Sequence, residues 1–257
     1  VNIIKQLLPY SIIILYDRYR ELRKYQINLS KVNFWDYGKL LVHIKCAKLY
    51  LLPKKRLKNL ATFIDIGANV GDWSFHIKSL YPEANLLAFE PEPASYEVLK
   101  ERLKLMKPIL INVALGNQKG MLDFFVTKDT TGSSLLEPND TAREAFGNKW
   151  TTKKVKVIVD KLDSYTKTLS QIDVLKIDVQ GYEELVFEGG EETLKKTNFI
   201  IIELNFIKLY DSGVDFIDIH RILTQKYGFE LSNLSQPMVI AGKAFMADAL
   251  YANTSFK

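Results

Sequence analysis

The stretch Asp65-Ile66-Gly67-Ala68-Asn69-Val70-Gly71 joins an apolar run, Thr62–Ile66, to an amphipathic stretch opening near Trp73. Glycines there permit a tight turn and close backbone approach, and a helix beginning at that point offers unpaired N–H donors to a ligand. Glu90 closes the next apolar run, 19 residues after Gly71, where a carboxylate can accept from ribose hydroxyls. Strand, turn, helix, strand and acid in this order is a nucleotide-binding pattern. A dinucleotide fingerprint would need glycine where Asn69 and Asp72 stand, and Asp65 would oppose a pyrophosphate. An acid at that place suits a cationic ligand such as the sulfonium and ammonium of S-adenosylmethionine. The turn favours S-adenosylmethionine over NAD.

Methyl transfer from a sulfonium is an in-line displacement. The protein must align acceptor and methyl at about 3 Å and remove the hydroxyl proton. Glu90, Asp178 and Glu203 all fall at the ends of apolar runs, on the side where open α/β sheets bind ligands. With Glu90 allotted to ribose, Asp178 and Glu203 are the base candidates; Asp178 could instead cap a helix opening near Gly181. Asp178, Glu203 and Asn205 would also suit Mg²⁺ as hard oxygen ligands, but carboxylates at strand ends have other uses, and no metal is expected. His220 lies in an apolar stripe, Phe216, Ile219 and Leu223, and is read as a packed histidine; His43 and His76 have the same reading. Thr131-Gly132-Ser133-Ser134 is read equally as a loop closing over the cofactor and as a plain turn.

The elements that must position these groups alternate in type. Candidate buried strands are Thr62–Ile66, Leu86–Glu90, Ile109–Val113, Val174–Asp178 and Phe199–Leu204. Each is a brief apolar run, as expected when helices cover both faces of a parallel sheet. Helical stripes fall between them, at Trp73, Ile77 and Leu80, at Tyr96, Leu99, Leu103 and Met106, and at Phe216 through Tyr227, stopping at Gly228. Met121–Val126 and Val155–Val159 read as strands joined by a long polar loop, and Phe229–Leu234 with Met246–Tyr251 forms an antiparallel edge. The pattern predicts one doubly wound α/β domain with a helical extension ahead of it.

The single cysteine, Cys46, excludes an intramolecular disulfide and a cysteine-based zinc site, and so points to the cytosol. Residues 1–60 carry 13 Lys and Arg against 3 Asp and Glu, while the remaining 197 carry 22 against 27. A basic head thus precedes a mildly acidic body. The longest uncharged run near the start, Gln6 to Tyr16, has eleven residues and includes Pro9, well short of the roughly 20 that span a bilayer. Ile12–Tyr16 beside Arg18, Arg20, Arg23 and Lys24 leaves weak interfacial contact open. Tyr10, Tyr16, Tyr19, Tyr25, Phe34, Trp35 and Tyr37 among these cations could stack on nucleic acid, although packing of a helical cap is the favoured reading.

Taken together, Asp65-Ile-Gly-Ala-Asn-Val-Gly71, Phe89-Glu90-Pro91, Asn112-Val-Ala-Leu-Gly116, Leu162-Asp163 and Leu175-Lys-Ile-Asp178-Val-Gln-Gly181-Tyr-Glu183 stand in order over residues 60–252. The sequence resembles the FkbM-type family of class I S-adenosylmethionine-dependent methyltransferases. The resemblance implies a Rossmann-like, seven-stranded, mostly parallel sheet with an antiparallel edge, S-adenosylmethionine as donor, and O-methylation of a carbohydrate or other small hydroxylated metabolite. It implies that Asp65, Gly67, Ala68, Asn69 and Gly71 hold the methionine end. By the same resemblance Glu90 and Pro91 take the ribose, Asn112 and Ala114 border the adenine, and Asp178 faces cofactor and acceptor. In one departure, Gln180 stands where the family commonly has an acid.

The expectation is a basic helical cap over residues 1–58 and a catalytic domain over 59–257, acting on a small-molecule or glycan acceptor without nucleic acid. Two alternatives stay open. One is a protein or nucleic-acid methyltransferase docking through the basic head. The other is a nucleotide-binding module without catalysis, against which intact Asp65, Glu90 and Asp178 speak.

Overall fold

Short apolar runs become strands here because helices shield them on both sides. The computed structural model describes residues 37–58 and 60–256. Its first strands are β1 (Thr62–Ile66), β2 (Asn85–Phe89) and β3 (Ile109–Ile111), followed by β4 (Ala114–Leu115), β5 (Gly120–Thr127) and β6 (Thr152–Asp160). Then come β7 (Ile172–Ile177), β8 (Thr197–Asn205), β9 (Phe229–Leu234), β10 (Met238–Ile240) and β11 (Lys243–Asn253). The principal sheet runs β3-β2-β1-β7-β8-β11. Its first five strands are parallel, and β11 is antiparallel to β8. β9 and β10 pair in turn with different parts of the outer edge of β11, so eight strands fill seven positions.

The sequence's long polar loop between β5 and β6 is more ordered than its composition suggests. β4, β6 and β5 form a second, three-stranded sheet. Between β5 and β6 lies a two-turn helix, capped by the Asn139 side chain on Ala142 N at 3.0 Å. Seven residues are too few to carry a helical period, so only the cap marked it.

The helices are α1 (Tyr37–Cys46), α2 (Asp72–Leu80), α3 (Pro93–Leu103), α4 (Asp140–Phe146), α5 (Asp163–Thr166), α6 (Glu183–Gly189), α7 (Glu191–Lys195) and α8 (Phe216–Arg221). Alternation along the central strands sorts side chains into two cores. Ile64, Leu175, Ile177, Ile200 and Ile202 pack under Val186, Phe187, Ile219 and Leu223. Phe63, Val174, Phe199 and Ile201 face the other way, under Trp73 and Ile77 of α2 and under Ile44, Leu49, Leu51 and Leu57. Residues 41–57 therefore share one apolar cluster with the sheet, and Trp73 Nε1 donates to the Ala47 carbonyl at 2.9 Å. The expected interfacial contact at Ile12–Tyr16 and the aromatic residues from Tyr10 to Trp35 lie outside the described residues. Among the described residues no helix is long and apolar enough to cross a membrane.

Where α1 meets α2, His43 and His76 approach Nδ1 to Nδ1 at 2.7 Å, a hydrogen bond that needs one of the two nitrogens unprotonated. Burial lowers the pKa of both, and the charge of His43 further lowers that of His76. Because their folded values lie below the ordinary value of about 6.5, this contact stabilises fully above that pH and is lost as pH falls through the folded values. Thermal melts should therefore show a drop in stability on acidification below about pH 6.5 that His76→Gln makes shallower. An unchanged slope would place the acid sensitivity elsewhere.

Candidate active site

The site is built at the carboxyl ends of the parallel strands. At the end of β1, Gly67 has φ +75° and Asn69 φ +48°. A Cβ at Gly67 would lie 1.9 Å from the Asp178 carbonyl oxygen, so only glycine lets this turn lie against the chain leaving β7. The Gly67 and Ala68 amides donate to the Phe89 carbonyl at 3.1 and 2.9 Å, tying the turn to β2 as well.

Glu90, just past β2, is buried. It accepts from the backbone N–H of Asn69 at 2.7 Å and of Glu92 at 2.8 Å. Burial pushes its pKa up to about 7 against the pull of those two hydrogen bonds. One contact on each oxygen leaves further lone pairs for hydroxyl donors. The Asn112 side chain donates to the carbonyls of Glu90 and Pro91 at 2.7 and 3.1 Å; it shapes the chain that carries Glu90 and does not line the cavity.

One face of the sheet continues beyond the apolar cluster as a row of charges. Asp65 on β1 is paired in register with Lys176 on β7. The Lys176 ammonium lies 3.3 Å from Asp65, 3.4 Å from Asp178 and 3.2 Å from the Gly67 carbonyl. Asp65 also accepts from the Ser74 hydroxyl at 2.6 Å and is fully buried. Its charge is therefore answered from within the protein, and it sits beneath the turn rather than on the cavity wall. Lys176 went unnoticed in the sequence, although a lysine inside the apolar run of β7 is itself a signal, since buried cations need partners.

Gln180 (φ +57°) follows on the loop after β7. Its Nε2 donates to Asp178 at 2.9 Å and to Glu203 at 2.8 Å, joining the two base candidates. The Tyr210 hydroxyl donates to the Gly132 carbonyl at 2.7 Å and lies 3.3 Å from Gln180 Oε1; the two carboxylates that accept from Nε2 fix the amide's direction. A neutral amide can donate to two carboxylates at once; an ionised acid there would repel both. Burial, and next the Asp178 charge, push Glu203 up to about 7 while Lys48 and Gln180 oppose. At Asp178, Lys176, Lys48 and Gln180 outweigh burial and hold the carboxyl below the usual carboxylate range. The helix after this loop has Tyr182 at its N-cap position, so Asp178 is not its cap.

These groups border a cavity of about 460 Å³ that crosses the sheet from β2 to β11. Gly67, Asn69, Glu90 and Pro91 lie at one end, with Phe89, Val113, Ala114 and Leu115 as an apolar wall. Asp178 and Gln180 follow beside the turn, and Glu203, Met238 and Met246 lie towards β11. Thr130, Thr131 and Ser133 border it from the loop after β5, and the Thr130 hydroxyl donates to Asn69 Oδ1 at 3.1 Å. Phe146 and Trp150 complete the wall, stacked at 4.2 Å between centroids. Ala68 and Gly71 instead pack on Leu99 of α3 and help hold the turn. His220 faces the Tyr251 hydroxyl at 3.1 Å, as a packed histidine. Among the described residues no group of three or more His, Cys, Asp or Glu has the arrangement of a metal site.

The sequence model of the family described as "Methyltransferase FkbM domain" matches residues 65–231. Methyltransferase sdnD of Sordaria araneosa is 32% identical over 155 residues, which cover 50% of this chain and 60% of that protein; the match thus spans less than two thirds of this relative. The 2-O-methyltransferase NoeI of Sinorhizobium fredii is 31% identical over 181 residues, covering 65% of this chain and 72% of its own. Hexuronic acid methyltransferase AglP of Haloferax volcanii is 25% identical over 175 residues, covering 67% and 65%.

Proposed function

Because the chain belongs to the FkbM methyltransferase family, we propose that it moves the methyl group of S-adenosylmethionine onto a hydroxyl of a carbohydrate acceptor. The observation that carries this reading is the single cavity joining Glu90 and the glycine turn to the Asp178–Gln180–Glu203 cluster.

The residues present fit the donor. A glycine cradle too tight for any Cβ meets a buried carboxylate with lone pairs to spare, beside an apolar wall suited to an adenine ring. When bound, S-adenosylmethionine supplies a methyl group activated by its sulfonium. Gly67 and Asn69 would hold the methionine end, Glu90 the ribose, and Ala114 with Val113 the base. Lys176 answers the charge of Asp65 beneath the turn, so backbone donors and fit, rather than one free acid, would account for retention of the cofactor.

On the acceptor side Glu203 takes the hydroxyl proton onto its carboxylate. Its pKa near 7 is matched to that task, because a base poised near the working pH combines sufficient ionised fraction with sufficient basicity. Asp178 stays ionised beside Lys176 and orients the cluster through Gln180. Phe146, Trp150, Met238 and Met246 offer apolar surface against which the C–H face of a sugar ring packs, while the carboxylates address its hydroxyls. One relative is a 2-O-methyltransferase, which supports transfer to oxygen, and another is a hexuronic acid methyltransferase, which supports a carbohydrate acceptor.

Calorimetry tests the donor half: S-adenosylmethionine and its demethylated product should bind and NAD should not. Glu90→Ala should weaken binding by about 1–3 kcal/mol, the range for hydrogen bonds to a charged group. Unchanged affinity would sink the ribose assignment. Tritium-labelled donor offered with sugars, hexuronates, RNA and protein tests the acceptor half; label entering RNA or protein instead of sugar would overturn it.

A further inference from the structure

The charged row on the sheet face does not end at Glu203. Asp248 on β11 is the register partner of Glu203 on β8, and its carboxylate forms an ion pair with Lys48. Lys48 precedes residues 65–231, the stretch that defines the family. It occupies a left-handed turn (φ 56°) between α1 and the short helical turn Leu49–Leu51. Its neighbours Ala47 and Leu49 are fully buried in the cluster beneath the sheet, and Trp73 grips the Ala47 carbonyl. The backbone at Lys48 is thereby fixed, and its ammonium is held where the charged row meets solvent, with about a quarter of the side chain exposed.

We propose that Lys48, paired with Asp248, is a positioning residue that favours the ionised form of Glu203. This inference rests on the reading of Glu203 as the base. Glu203 is flanked by an acid on each neighbouring strand, Asp178 after β7 and Asp248 on β11, with Gln180 donating to it and Tyr210 nearby. Burial and the two flanking anions all favour the protonated form of Glu203. Lys48 is the cation that offsets them from the β11 side, as Lys176 does from the β7 side at Asp178. Because Lys48 binds Asp248 rather than Glu203, it favours the ionised form without occupying the oxygens that must receive a proton.

Full-length protein labelled with ¹³C at glutamate carboxyls reads this without any substrate, the Glu203 signal being assigned by its loss in Glu203→Gln. Lys48→Met should move the Glu203 midpoint to higher pH, by about twofold to fivefold in the ionisation constant, the range of a pair partly open to water. Asp248→Asn should move it to lower pH, and Lys48→Arg should stay near the parent. Opposite shifts from the two halves of one ion pair are a result that a merely structural tether would not give. Shifts in the same direction, or an unmoved midpoint in Lys48→Met, would overturn the proposal. If the midpoints move as stated while Glu203→Gln still transfers methyl groups at the parent rate, the role of Lys48 stands and the base assignment fails.

Discussion

Glu203→Gln should cut turnover by about 10²–10⁴-fold, the range for losing a general base, while leaving affinity for S-adenosylmethionine near that of the parent. The substitution preserves shape while removing the carboxylate's charge and its ability to take up a proton. Glu203 stands at the far end of the cavity from Glu90 and the glycine turn, so the donor should still bind. In the parent enzyme the acid limb of the kcat profile should have a midpoint near the raised pKa of Glu203, about 7. The sign follows from the role: the base works ionised, so activity falls as pH drops through that value and is retained above it. Asp178, held low by Lys176, stays ionised across the same range and adds no second limb there. Turnover unchanged in Glu203→Gln would move proton removal to another group, Asp178 first.

The same experiment separates a base from a metal site. Gln180 Nε2 places N–H donors on one oxygen each of Asp178 and Glu203, the carboxylates that would hold a Mg²⁺ ion. An N–H pointing between two carboxylates competes directly with a cation there. EDTA should therefore leave methyl transfer unaffected; loss of activity restored by added Mg²⁺ would replace this account with a metal-assisted one.

Much of the frame was legible because buried parallel strands write themselves as apolar runs. Thr62–Ile66 has the same limits in sequence and structure, the other central strands differ by no more than two residues at either end, and the antiparallel edge strand Phe229–Leu234 also keeps its limits. The turn at Gly67 was legible because its backbone geometry demands particular residues locally. What escaped was set by partners far along the chain. Lys176 means little until β1 places Asp65 beside it, 111 residues earlier. Gln180 reads as a departure from a family pattern until Glu203 and Asp178 converge on its amide. Phe146 and Trp150 sat in a stretch read as loop, and Lys48 in a basic head with no role at all. The carboxylates were visible as types at strand ends; their division of labour depends on cations supplied from neighbouring elements.

Lys176→Met should destabilise the fold by about 3–5 kcal/mol, the cost of removing one partner from a buried ion pair, with a fall in melting temperature of roughly 10 °C for a chain of this size. Asp65 is fully buried, and among the described residues its other side-chain partner is the Ser74 hydroxyl. Methionine fills the space of lysine but leaves that carboxylate without a counter-charge in low-dielectric surroundings. Asp65→Asn placed in the Lys176→Met background should restore most of the loss, because an amide at position 65 can keep the Ser74 contact and carries no unpaired charge. The two substitutions should therefore be strongly non-additive in a double-mutant cycle of urea denaturation. Additive losses would mean that Lys176 acts mainly through the Gly67 carbonyl and Asp178, and that Asp65 is stabilised by the Ser74 hydroxyl alone.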